Sequence, residues 1–131
     1  MNEYLIGHII KEIKIADDKK AIMFITDKEK VIARTGGNCC SNSWIENIEI
    51  TASLPALVLQ CEDIEMPDRG SPGGDFIAYY GYKIITNTGH IIIDYRNSSN
   101  GYYGGDLVFP NEYFYGGVFD QNISSEKWKD V

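Results

Sequence analysis

Apolar and polar residues alternate along the first 35 residues, in three short segments separated by charged turns. In the first segment Ile9, Ile13 and Ile15 are predicted to share one face of a strand, with Glu12 on the other. A two-residue period broken by Asp-rich turns is typical of antiparallel strands joined by tight connections. We therefore expect residues 4–35 to form a three-stranded antiparallel meander.

A second β-rich unit follows in the middle of the chain. The runs 76–86 and 90–96 are separated by Asn87-Thr88-Gly89, which predicts a hairpin with a three-residue loop. Alternation along the second strand puts three residues on one face, Ile91, Ile93 and Tyr95. The other face carries His90, Ile92, Asp94 and Arg96. The hairpin runs directly into the polar and glycine-rich segment that begins after Arg96.

Short helices are predicted between these strands. Ser43 and Glu46 match a capping box that would begin a short helix at Trp44. A second short helix is expected where Ser53 precedes Pro55, because proline is tolerated in a first helical turn. A serine pair at 124–125 is a candidate cap for a last turn around Trp128. The expected fold class is therefore α+β, mainly antiparallel β as a sheet or an open barrel of hairpins, with short helices.

The size and composition indicate one domain, residues 1–131, with 44% apolar and 24% charged residues. The net charge of −7 disfavours binding to a nucleic-acid polymer, because an acidic surface repels phosphates. Three cysteines cannot all pair within one chain, which favours a reducing compartment. The apolar runs are too short to cross a bilayer. We expect a cytoplasmic protein that does not bind membranes.

The sequence carries no recognisable set of catalytic or metal-binding residues. Cys40, His90 and Asp94 are the best available triad, and no signature flanks any of them. The three cysteines and two histidines lack the paired spacing that zinc sites need. No phosphate loop of the strand–loop–helix kind is present. The expectation is a protein without catalytic residues, metal or cofactor.

The segment from Arg96 to Gly105 is the best candidate for binding a small ligand. Arginine forms paired hydrogen bonds with phosphates, asparagine and serine bond riboses or base edges, and tyrosine rings stack on bases. A plain surface loop of turn-forming residues is the alternative. The residues expected to contact a ligand are Arg96, Asn97, Ser98, Asn100, Tyr102 and Tyr103.

Further expectations concern the remaining arginines and the tyrosines. Arg34 and Arg69 both flank loops, so either is a candidate partner for a second phosphate or simply a surface charge. The guanidinium of Arg96 is expected to face solvent in the free protein, with Asp94 holding it in place. Nine tyrosines in 131 residues favour a subunit interface, so we expect a homo-oligomer, at least a dimer.

Three stretches resemble one known family: NCCSNSWIE at 38–46, YGYK at 80–83 and YRNSSNGYYGG at 95–105. The chain resembles, over roughly residues 30–110, the first-described family of phage anti-Thoeris sponge proteins. That resemblance implies a non-enzymatic protein that sequesters the cyclic ADP-ribose isomer made by a bacterial TIR defence enzyme. It also implies, for some members, binding of cyclic oligonucleotides, and assembly as a dimer or hexamer.

The leading hypothesis is therefore a protein that sequesters a cyclic nucleotide-type ligand without cleaving it. One alternative is an acidic, tyrosine-rich phage protein that inhibits a host defence enzyme by binding to it. A third hypothesis is a nucleotide hydrolase or a cyclase-like enzyme.

Overall fold

The structure is a computed structural model that describes residues 3–37, 42–65, 76–99, 105–110, 113–114, 117–118 and 127–131. Antiparallel strands make up the regular structure of these residues. The strands are β1 (Ile9–Ala16), β2 (Ala21–Thr26), β3 (Lys30–Gly37), β4 (Asn42–Ile50), β5 (Ala56–Glu65), β6 (Phe76–Thr86), β7 (His90–Ser99), β8 (Gly105–Val108), β9 (Tyr113–Phe114), β10 (Gly117–Val118) and β11 (Trp128–Asp130).

One nine-stranded sheet has the order β4-β7-β6-β5-β1-β2-β3-β8, with β11 also paired to β1. The short strands β9 and β10 pair with each other. Strand β5 connects the two halves of the large sheet, because its first residues pair with β1 and the rest of its length pairs with β6. One half is therefore β1-β2-β3-β8 and the other is β5-β6-β7-β4.

The sheet folds over on itself, so that β4, at one end of the strand order, reaches β3 near the other end. The Ser43 hydroxyl donates to the carbonyl of Gly36 at 3.1 Å, and the Ile45 amide donates to the carbonyl of Lys19 at 2.7 Å. The buried Asn97 amide donates to the Ser43 hydroxyl at 2.7 Å, which ties β7 into the same contact. We call Gly36, Ser43 and Asn97 the β3–β4 junction.

The enclosed core draws large side chains from both halves of the sheet. Phe24 of β2 and Tyr82 of β6 both pack against Phe109, at ring-centroid distances of 6.4 and 5.3 Å. All three are buried. Burial of one such side chain contributes about 1.5–3 kcal/mol, so rings that contact both halves hold the folded-over sheet together.

The predicted meander and hairpin are confirmed. Strand β1 pairs with β2 and β2 pairs with β3. Strand β6 ends and β7 begins at the predicted loop 87–89. One detail is wrong: a register shift between Ile10 and Glu12 reverses the alternation in β1. Ile10 and Ile13 are consequently buried, whereas Ile9 is only partly buried.

The α+β class is wrong, because the described residues form no helix. The capping-box segment is part of strand β4, where cross-strand pairing with β7 satisfies its backbone. Ser43 bonds the carbonyl of Gly36 instead of a helical amide. The Glu46 carboxylate accepts a hydrogen bond from the Trp44 indole at 2.8 Å instead of capping residue 43. Tertiary pairing thus outweighs a local sequence motif.

The other two predicted helices are also absent. Ser53 exchanges hydrogen bonds with the side chain of Thr88, at 3.1 and 2.9 Å, and the peptide bond before Pro55 is cis. Trp128 starts strand β11 and pairs with Ala16. No helix in the described part of the chain has the length and apolar character needed to span a membrane.

Removal of the buried amide at the β3–β4 junction should destabilise the fold. Asn97→Ala takes away the donor to Ser43 and leaves a buried hydroxyl without it, so the free energy of unfolding should fall by about 1–3 kcal/mol. Urea unfolding of purified protein measures this. Asn47→Ala, at an exposed position of β4, is the matched control and should change the free energy by less than about 0.5 kcal/mol. Equal destabilisation by both variants would contradict a specific role for Asn97.

A carboxylate ties the β2–β3 turn to the start of β1. The Ile9 amide donates to Asp27 Oδ1 at 2.8 Å, and the Asp27 amide donates to the carbonyl of Ile9 at 3.0 Å. The hydrogen bond from the Ile9 amide favours the ionised carboxylate, so it lowers the pKa of Asp27 below its ordinary value. Asp27 therefore stabilises the fold above that ordinary value, and this contribution is lost as pH falls through the lowered pKa.

In Asp27→Asn the free energy of unfolding should fall less steeply with decreasing pH at acidic pH, because the amide keeps an acceptor oxygen but does not titrate. The variant should be less stable than the parent at neutral pH, and the two should converge as pH falls below about 3.9. Urea unfolding at a series of pH values measures the slopes. Glu12→Gln, an exposed carboxylate of β1, controls for the change in net charge. A parallel pair of profiles for Asp27→Asn and the parent would contradict this prediction.

Candidate functional site

The outer face of β6, β7 and β4 places one cation between two aromatic residues. Tyr79 lies opposite Arg96 across the β6–β7 pair, and Trp44 lies opposite Arg96 across the β7–β4 pair. The neighbouring Tyr95 is buried in the core, so alternation directs Arg96 away from the core. We define the Arg96 cluster as Trp44, Glu46, Tyr79, Asp94 and Arg96.

The guanidinium of Arg96 is held by three neighbours. Its carbon lies 4.4 Å from the centre of the Tyr79 ring, in a cation–π contact. Nη2 donates to Asp94 Oδ2 at 3.3 Å, and Nη1 lies 3.6 Å from Glu46 Oε1. The side chain is only 23% exposed. The expectation that it faces solvent is therefore wrong, whereas the predicted contact with Asp94 is present.

Glu46 contacts two groups of the cluster with its two carboxylate oxygens. It is the extra residue of a β-bulge between Ile45 and Asn47, a position that re-aims side chains at a sheet edge. Oε2 accepts from the Trp44 indole Nε1 at 2.8 Å, while Oε1 faces Arg96. The Glu46 side chain is 43% exposed. It is thus the most accessible polar group in contact with Arg96.

Asp94 is the more buried carboxylate, with 14% of its side chain exposed. It lies opposite Gly81, which has no side chain to cover it. Asp94 Oδ1 and Arg96 Nε are both buried and have no hydrogen-bond partner among the described residues. One acceptor and one donor, two residues apart on the same face of β7, therefore have no partner among the described residues, a feature that native proteins usually reserve for function or bound water.

The charges of the cluster decide what it can bind. One guanidinium faces two carboxylates, so the ionised cluster carries a net charge of −1, from one positive and two negative groups. A phosphate added to this arrangement would be repelled by the carboxylates. Binding of an anion to Arg96 therefore requires a carboxylate to move away, and Glu46 is the more exposed of the two.

The predicted ligand residues separate into three groups in the structure. Ser98 lies on the same outer face as Arg96, opposite Ile77 and Asn42. Asn97 points inward, is fully buried and donates to Ser43, so it belongs to the β3–β4 junction. Arg34 lies in the other half of the sheet, on β3 opposite Ala21 and Val108. The remaining four, Arg69, Asn100, Tyr102 and Tyr103, lie outside the described residues.

Several strands end close to Ser98, at one end of the sheet. Asn42 at the start of β4 pairs with Ser98, and Phe76 at the start of β6 pairs with Ser99 at the end of β7. Gly37 at the end of β3 pairs with Gly105 at the start of β8. Arg96 lies three residues from the end of β7, so the Arg96 cluster occupies this end of the outer face.

Three cluster residues escaped the sequence analysis as ligand candidates. Tyr79 lies opposite Arg96 because the hairpin pairs Ile85 with His90, which fixes the register of both strands. Trp44 and Glu46 were assigned to a helix, so their position beside β7 was not expected. Tyr79 could have been predicted from the sequence, because the hairpin register places it opposite Arg96 on the outward face of β6.

The histidines occupy structural positions. His90 and Asp94 lie four residues apart on one strand, a separation of about 13 Å that prevents a hydrogen bond between them. His90 Nε2 lies 3.3 Å from Glu49, and the buried His8 lies 3.0 Å from the Thr26 hydroxyl. Cys40 lies outside the described residues. Among the residues described, no group of three or more histidine, cysteine or acidic side chains is arranged to hold a metal ion.

Comparisons with known proteins identify the family of this chain. Residues 3–109 match the family model described as Domain of unknown function (DUF7448). The chain is 30% identical over 107 residues to Uncharacterized protein L278 of Acanthamoeba polyphaga mimivirus, an alignment that covers 75% of this chain and 83% of that protein. No solved structure is significantly similar to it. The chain therefore belongs to the DUF7448 family.

Proposed function

We propose that this protein binds and sequesters a cyclic ADP-ribose-type or cyclic oligonucleotide defence signal, without cleaving it, as an immune-evasion protein of a phage or prophage. The observation that carries this proposal is the row of Tyr79, Arg96 and Trp44 on one outer face. A nucleotide has a flat base and an anionic phosphate, which are the two chemical groups that such a row recognises.

Each member of the row has a distinct role in this proposal. Arg96 supplies the charge-assisted hydrogen bonds that a phosphate accepts. Tyr79 and Trp44 supply aromatic surface, and Ser98 supplies a hydroxyl one row closer to the strand ends. Asn100, Tyr102 and Tyr103 follow Ser98 closely in the chain and stay predicted ligand residues. Arg69 and Arg34 stay candidates for a second phosphate.

Sequestration requires affinity alone, so it needs no catalytic group. The described residues place one cation in the cluster, whereas a cyclic signal of this kind carries at least two phosphates. A homo-oligomer, a dimer or hexamer, would surround the ligand from more than one subunit and bury more of its surface. The relative encoded by a mimivirus supports a viral setting. A protein that intercepts such a signal acts in the host cytosol, where the signal is made.

The alternative function is inhibition of a host defence enzyme by direct binding. Strand β5 favours it, because Leu59 is 52% exposed and the exposed Gln60 and Asp63 lie on the same strand. Together with the net charge of −7, this acidic strand would suit a partner protein of opposite charge. This alternative requires no small-molecule ligand.

Loss of the guanidinium should weaken ligand binding. Arg96→Ala removes charge-assisted hydrogen bonds of about 1.5–3 kcal/mol, so the dissociation constant of a cyclic nucleotide should rise roughly ten- to a hundredfold. Titration of a radiolabelled or fluorescent cyclic nucleotide at matched salt measures it. Lys83→Ala is the matched control, because Lys83 is a cation of the same face, opposite Ile92, about 13 Å along β7 from Arg96. It should leave the affinity within about twofold.

Because Arg96 is largely buried, urea unfolding of the variant must accompany the titration. A folded Arg96→Ala protein that binds as tightly as the parent would move the site to Arg69 or Arg34. Arg96→Lys, which keeps the charge but not the fork of donors, should bind with intermediate affinity.

Recovery of the ligand distinguishes the candidate functions. The protein is incubated with a panel of cyclic nucleotides, separated from free ligand, denatured, and its small molecules are analysed. Unchanged ligand released only on denaturation is the expected result. A chemically altered ligand would indicate an enzyme. No retention of any panel member would favour the protein-binding alternative.

A further inference from the structure

We propose that Trp44 Nε1 and Arg96 Nη1 form a two-donor subsite for a phosphate oxyanion, and that Glu46 occupies this subsite in the free protein. This inference rests on the proposed function, because it assigns the contacts of the ligand's phosphate. The two donors contact the two oxygens of a single carboxylate, at 2.8 and 3.6 Å. A phosphate presents two oxygens in the same way and carries a similar or greater negative charge.

Glu46 is suited to displacement. It is the extra residue of a bulge, its side chain is 43% exposed, and its contact with Arg96 is long for a charged hydrogen bond. Ion pairs of this exposure contribute little, because water screens them and ordering two side chains costs entropy. Rotation of the Glu46 side chain into solvent therefore frees both donors at small cost.

The two donors stay in place when Glu46 leaves. Arg96 keeps its hydrogen bond to Asp94 and its contact with the Tyr79 ring. The backbone of Trp44 is fixed by the pairing of β4 with β7 opposite Arg96, which keeps its side chain on the same face as Arg96. The subsite is thus preorganised on two paired strands, and only its internal carboxylate has to move. An incoming phosphate exchanges with Glu46 instead of adding to it, which removes the repulsion expected from Glu46 and leaves only that of Asp94, which stays paired with Arg96.

The test uses inorganic pyrophosphate and a cyclic nucleotide as probes on the full-length protein. Glu46→Gln keeps the size of the side chain and removes its charge, so the affinity for both probes should rise roughly two- to fivefold. Glu49→Gln is the matched control, because Glu49 is an exposed carboxylate of the same strand that contacts His90. It changes the net charge equally and should alter affinity by less than twofold.

A second measurement reports on Trp44 itself. The ¹H–¹⁵N spectrum contains one indole N–H signal for each of the two tryptophans, and Trp128→Phe assigns the signal of Trp44. That signal should shift when pyrophosphate is added to the parent protein, and also in ligand-free Glu46→Gln. The Glu49→Gln variant should leave it in place. A weaker-binding Glu46→Gln, or equal effects of Glu46→Gln and Glu49→Gln, would overturn the subsite.

The two probes separate this inference from the proposed function. Pyrophosphate binding that strengthens in Glu46→Gln, with no cyclic nucleotide retained, would support the subsite and refute the sequestering function. Cyclic nucleotide binding with an unmoved Trp44 signal would support the function and overturn the subsite. Absence of binding by both probes to the parent and to Glu46→Gln would overturn both.

Discussion

The contact between Ser43 and Gly36 closes the folded-over sheet, because it joins β4, at one end of the strand order, to β3 near the other. An open sheet of this size would need a second layer to cover its apolar face. Here the sheet supplies that layer itself by folding over. Asn97 donates to Ser43, and the carbonyl of Ser43 accepts from Lys20 at 2.8 Å, so both the side chain and the backbone of Ser43 contribute. Because Asn97 is buried at this junction, the face of β7 that carries Asn97 lies inside.

The placement of the candidate site follows from this orientation of β7. Along β7, Tyr95 and Asn97 point into the core, so Arg96 must point out and meets Tyr79 and Trp44 of the flanking strands. A shift of one residue in register would exchange these roles and put the guanidinium in the core. The same polar segment thus supplies a buried amide that closes the fold and an outward cation, the one proposed to bind a ligand. Stability and the proposed binding share one strand but use opposite faces.

The sequence predicted the local part of this structure. Two-residue alternation and Asp-rich turns were sufficient for β1 to β3, and the loop 87–89 was sufficient for β6 and β7. The helix at Ser43 was wrong because a capping box is a local pattern, whereas β4 forms by pairing with residues about fifty positions later in the chain. Arg96 could be assigned to the outward face from alternation alone. Its partners Trp44 and Glu46 depend on that distant pairing and on a bulge, neither of which has a signature in the sequence.

An acidic protein that binds an anionic ligand, as proposed for this one, has to overcome its own charge, and the Arg96 cluster offers a way to do so. Because Glu46 already satisfies Trp44 and Arg96, a small free phosphate gains little by replacing it: one anion is exchanged for another. A nucleotide brings the same phosphate together with a base, and stacking of a base on an aromatic ring contributes about 1–3 kcal/mol. Tyr79 and Trp44 offer such rings on either side of Arg96. An internal carboxylate would therefore select against the abundant inorganic phosphate of a cell and in favour of a ligand that also stacks. That form of selectivity suits the proposed function, in which the protein retains one rare signal and has no need to release it.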